Sequence, residues 1–69
     1  MATIRIGETV VNENNMIIVE LVELTEETFF HIHGLKDRKP IDHRVDVSSP
    51  WACQRAQEFY DHYRNLFKK

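Results

Sequence analysis

His31 and His33 flank Ile32 in the segment Phe29-Phe30-His31-Ile32-His33-Gly34. On an extended strand that spacing puts both imidazoles on one face, about 6.7 Å apart along the chain. Two imidazoles and a carboxylate can hold a divalent metal such as zinc. Strand pairing brings Glu20 to one side of His33 and Asp42 to the other. Histidines on an exposed strand also simply pair with neighbouring carboxylates, and this is the reading adopted. No metal or other cofactor is assigned, and His31 and His33 are held as the candidate ligands should there be one. His43 falls among core positions and is read as a hydrogen-bonded core histidine.

Other catalytic chemistry has little to stand on. Cys53, the one cysteine, falls in the first turn of a helix, where the helix dipole favours a thiolate. The sequence places no histidine or acid beside it. Ser48 and Ser49 are explained as residues that start the helix. Phosphate-binding glycine loops, Cys-x-x-Cys and His-Glu-x-x-His are all missing. A chain of 69 residues also has little room for a pocket of about 300 Å³. The protein is expected not to be an enzyme.

Three surfaces remain. The basic residues Lys36, Arg38, Lys39 and Arg44 suit phosphate contacts, and Phe29 suits base stacking. Asp37, Asp42 and Asp46 interrupt that patch, so nucleic-acid binding is the alternative and not the first choice. Glu20, Glu23, Glu26 and Glu27 form an acidic surface. Carboxylates at alternate strand positions repeat every ~6.7 Å, about two phosphate steps along one nucleic-acid strand. Such a row would imitate a nucleic-acid backbone. Ile18, Val22, Leu24 and Phe29 fall on the sheet face that a helix would leave bare, and Trp51 lies off the helix's apolar stripe. Uncovered apolar patches on small domains mark interfaces, and tryptophan is enriched at binding hot spots.

The elements that position these residues follow from pattern. Residues 2–11 alternate as a strand, with a bulge at Gly7. Asn12 to Asn15 make a turn. Residues 16–25 are rich in β-branched residues and form a second strand. Glu26-Glu27 is a tight connection to a third strand over 28–34. Residues 35–40 are a polar loop, and 41–47 a fourth strand. Ser49 as N-cap and Pro50 at the first helical position open a helix over 50–67. Its apolar stripe is Ala52, Ala56, Phe59, Tyr63, Leu66 and Phe67. The expected class is α+β: one domain, a four-stranded antiparallel meander with a C-terminal helix on one face.

Register follows from matching apolar positions. Gly34 opposite Ile41 sets Ile32 against His43 and Phe30 against Val45. Carried through Glu26-Glu27, the same logic sets Leu21 beside Ile32 and Glu20 beside His33. It turns Glu23 inward, a conflict that a bulge over residues 21–23 would relieve.

The formal net charge is −2. That is not the strongly basic balance of a general nucleic-acid binder. Residues 1–30 carry one arginine against six glutamates, whereas residues 31–69 carry eight Lys/Arg against five Asp/Glu. Such asymmetry suits two different partner surfaces. A single cysteine makes no internal disulfide and fits a reducing, cytoplasmic setting. No signal-peptide pattern and no apolar run near the ~20 residues of a membrane span occur. The functional expectation is a small non-enzymatic interaction module, an inhibitor, adaptor or regulatory subunit. Its expected partner is another protein, with a homodimer first among the partners and no membrane among them.

Overall fold

The computed structural model describes residues 2–68. Four strands, β1 (Ala2–Asn12), β2 (Asn15–Glu23), β3 (Thr28–Lys36) and β4 (Lys39–Asp46), form one antiparallel sheet in the order β1-β2-β3-β4. The helix α1 (Ala52–Phe67) packs on one face. The ββββα meander is therefore the observed fold. Among the described residues no helix is long and apolar enough to cross a membrane.

The β1–β2 and β3–β4 turns, at the same end of the sheet, rest on each other. Asn12 Oδ1 accepts the N–H of Asn14 at 2.8 Å, and this Asx bond closes the β1–β2 turn. The expected polar loop over 35–40 does not exist as a loop. Leu35 pairs with Pro40 and Lys36 with Lys39, leaving only Asp37 and Arg38 as turn residues. Both have positive φ, 52° and 68°. That is the requirement of a two-residue hairpin turn whose twist matches its strands. The N–H of Arg38 donates to the Asn14 carbonyl at 3.3 Å, and that of Asp37 to Asn15 Oδ1 at 3.0 Å. Asp tolerates this backbone, but arginine pays a steric cost there. Arg38→Gly is expected to stabilise the protein by about 0.5–1 kcal/mol. A thermal melt checks this, and a lower melting temperature would contradict the strained-turn reading.

The β3–β4 register is the one that hydrophobic matching requires: Gly34 faces Ile41, Ile32 faces His43, and His33 faces Asp42. The β2–β3 register differs from expectation by two residues. Val19, not Leu21, lies opposite Ile32, and Ile18, not Glu20, lies opposite His33. The cause is the connection. Residues 24–27 all lie outside the strands, closed by the Leu24 N–H donating to the Glu27 carbonyl at 2.8 Å. β2 therefore ends at Glu23, which is exposed at the strand end opposite Thr28. The conflict over Glu23 disappears without a bulge in β2. The bulge at the start of the chain is present, where the pairing shifts between Arg5 and Gly7. A Cβ on Gly7 would lie 3.4 Å from the Tyr60 ring, so the glycine makes room for that side chain.

The core lies between sheet and helix. Ile17, Val19, Phe30, Ile32, Ile41, Ala52 and Ala56 are buried. Ala52 and Ala56 keep the helix close to the sheet, and Phe59, Tyr60, Tyr63 and Phe67 pack around them. Leu66, expected in the apolar stripe, is exposed. The helix starts later than expected. Ser49 gives its carbonyl to the N–H of Ala52, three residues on, in a tight turn. The first α-helical bond runs from the Arg55 N–H to the Trp51 carbonyl, so the N-cap is Trp51 rather than Ser49. Ser49 Oγ instead accepts the N–H of Trp51 at 3.2 Å.

The helix is also tethered by polar contacts. The hydroxyls of Tyr60 and Thr9 share a hydrogen bond of 2.7 Å. Tyr63 Oη bonds His43 Nε2 at 2.8 Å, and the His43 ring stacks on Phe59. His43 is thus satisfied, as expected, although half-buried rather than fully enclosed.

Candidate functional site

The sheet face away from the helix is an ordered lattice of side chains. One cross-strand row runs Arg5, Glu20, His31, Arg44, and the next runs Glu8, Ile18, His33, Asp42. A third runs Thr3, Val22, Phe29, Asp46. Ile18, Val22 and Phe29 are half-buried here; Val22 and Phe29 are direct cross-strand partners, and the Glu20–His31 row separates them from Ile18. Arg44 lies over the Phe29 ring, 3.8 Å from its centroid, and pairs with Glu27. Arg5 pairs with Glu8.

The centre of this lattice holds the histidines. Their rings stack with centroids 4.3 Å apart and an interplanar angle of 16°. His31 Nε2–H donates to Asp42 Oδ1 at 2.8 Å. His33 Nε2–H donates to Glu20 Oε1, although Glu20 sits directly opposite His31 and reaches His33 along the diagonal. One ligand atom from each of Glu20, His31 and His33 lies within 4.8 Å of the others. At the end of the sheet the N–H of Ser48, 3.0 Å from Asp46 Oδ1, lowers the pKa of that carboxyl, helped by the Ser48 side chain and by Arg44.

The five residues expected to share an interface are not on one surface. Leu24 lies in the β2–β3 loop because the strand ends before it. Trp51 is 67% exposed and borders an open groove of about 610 Å³ between β4 and α1, with His43, Arg44, Asp46, Arg55 and Phe59. That groove lies on the helix side of the sheet.

The other two surfaces are similarly divided. Glu23 ends β2, Glu26 and Glu27 are in the loop, and only Glu20 points from the outer face, so no evenly spaced carboxylate row forms. Lys36, Arg38 and Lys39 gather at the β3–β4 hairpin, whereas Arg44 is five residues along β4 and engaged by Glu27. Phe29 is covered by Arg44 rather than open to a base. Cys53 is exposed.

Two large aliphatic side chains of β1 are exposed beside the core. Ile4 is 51% and Ile6 55% exposed. Ile4 pairs with Leu21 on the inner face, as alternation requires. The helix, however, touches β1 least of the four strands. Ile6 borders a crevice of about 230 Å³ with Gly7, Val19, Phe30, Ala56 and Tyr60. The signal that could have found this strip is the width of the sheet. One helix, about 10 Å across, cannot cover four strands set ~4.8 Å apart.

No protein-family model, curated protein or solved structure matches this chain.

Proposed function

We propose that this protein is a small non-catalytic interaction module that docks through β1, and that its first partner is a second copy of itself. The observation that carries the reading is the strip Ile4 and Ile6, more than half exposed on an open edge strand beside an apolar crevice. An 11-residue edge strand also offers unpaired backbone groups to another strand. The opposite edge is guarded. On β4 the residues Lys39, Pro40, Asp42, Arg44 and Asp46 are all exposed, and charge and proline both resist added strands. Pairing of β1 with β4 of another copy would build an open fibre. Pairing of β1 with β1 closes after two copies. The difference between the two edges favours the closed dimer.

Light scattering on a sizing column, at low and high salt, is expected to give twice the 8.2 kDa chain mass. Ile4→Lys with Ile6→Lys is expected to return the mass to one chain while the circular dichroism stays unchanged, since both positions are exposed. A wild-type monomer at 100 µM (about 0.8 mg/mL for this mass) counts against self-association. A dimer that survives the double substitution counts against β1 as its site.

A further inference from the structure

We propose that Glu20, His31 and His33 form a zinc site on the outer sheet face, oriented by Asp42. The site lies on the face opposite the apolar strip of β1, so this inference stands apart from the docking proposal.

Four observations carry it. The ligand atoms already lie within 4.8 Å of one another. Tetrahedral bonds of 2.0–2.2 Å need them roughly 3.3 Å apart, a contraction that small side-chain rotations supply. The strands fix the spacing, because the two histidines occupy alternate positions on β3 and Glu20 is on the adjacent β2. Ligands on paired strands hold their positions better than ligands on loops.

Second, the set has the chemistry of a zinc site that keeps an open position: two imidazoles, one carboxylate and solvent access. Both histidines are about one-third exposed. Third, His31 has the outer contact that metal-binding histidines usually have. Its Nε2–H donates to Asp42, which leaves Nδ1 with the lone pair for a metal. Fourth, the competing cations are engaged elsewhere. Arg5 and Arg44 bracket Glu20 and His31 in their row, and each is held by another carboxylate, Glu8 and Glu27. Glu20 is the one glutamate that is not exposed, and among the described residues the His33 imidazole is the one hydrogen-bond partner of its side chain. A zinc ion between Glu20 and His33 takes the place of the proton they share.

The test is a titration of chelator-treated, tag-free protein with zinc chloride, followed by calorimetry and thermal melting. One zinc per chain is expected, with a melting temperature about 10–20 °C higher when free zinc exceeds the dissociation constant a hundredfold. His31→Gln, His33→Gln and Glu20→Gln are each expected to weaken binding at least tenfold. Their melting temperatures without zinc show that each variant is folded. His62→Ala and Cys53→Ser, which change exposed residues outside the site, are expected to bind as the wild type does. Cobalt in place of zinc is expected to give the intense visible absorption of a tetrahedral centre, which a merely structural role for the histidines would not produce. No zinc-dependent rise in melting temperature overturns the proposal. So does binding that persists in His33→Gln but is lost in His62→Ala or Cys53→Ser.

Discussion

Gly34→Ala is expected to remove about half or more of the protein's folding stability. A Cβ at this position would sit 2.1 Å from the Met16 carbonyl oxygen and 2.8 Å from its carbon. Real Cβ atoms do not approach backbone this closely, and a backbone carbonyl inside a sheet cannot swing aside. The φ of Gly34 is +155°, a value that side chains disfavour even with space available. β3 is an interior strand, so moving away from β2 would also disturb β4. A 69-residue domain has about 3–10 kcal/mol of total stability. A backbone clash together with conformational strain reaches the upper range of single-substitution effects, about 3–5 kcal/mol. Urea unfolding followed by circular dichroism checks it. A midpoint equivalent to a loss under about 1 kcal/mol would show that β2 and β3 can separate at little cost.

Ile32→Ala should come next in size. Among the described residues Ile32 and Ile17 are the two fully buried large side chains, both at 0% exposure. Ile32 lies on β3, opposite Val19 on one side and His43 on the other. Removing its outer carbons loses their transfer energy and leaves a cavity, a cost of about 2–5 kcal/mol. In so small a domain that corresponds to a fall in melting temperature of 10 °C or more. Ile4→Ala is the control, because the same atoms are deleted from a half-exposed position. In the monomer it should cost under about 1 kcal/mol. Equal losses at the two positions would mean that Ile4 is covered in solution, which the β1 dimer requires at dimeric concentrations. The comparison is therefore made at two protein concentrations, with the Ile4→Ala cost rising with concentration and the Ile32→Ala cost not.

The sequence carried some of this and not the rest, for physical reasons. The β3–β4 pairing was legible because alternation put Phe30, Ile32, Ile41 and Val45 on one face and the short segment joining the strands left little room to slide. The β2–β3 pairing was not. Shifting a strand by two residues returns every side chain to the same face, so hydrophobic alternation cannot distinguish the two registers. Only the connection decides, and Leu24 and Thr25 read as strand while belonging to the loop. The histidine cluster survived that error for the same reason. Glu20 stayed on the histidines' face and reaches His33 along the diagonal. Ile4, opposite Leu21, is on the inner face and is still exposed. Periodicity reports which face a residue is on, but not whether the covering helix extends that far.

The two tyrosine tethers of the helix connect parts of the sheet that never touch. β1 and β4 are opposite edges, three strand spacings or about 14 Å apart. Thr9 on β1 is held by Tyr60, and His43 on β4 by Tyr63, fewer than one helical turn further on. A bare sheet of this width is free to change its twist by rotating its edges against each other. Here that rotation would have to stretch one hydroxyl bond or roll the helix off Ala52 and Ala56. The single turn from Tyr60 to Tyr63 acts as a crossbar, setting the twist of the sheet and carrying a load on one edge strand directly to the other.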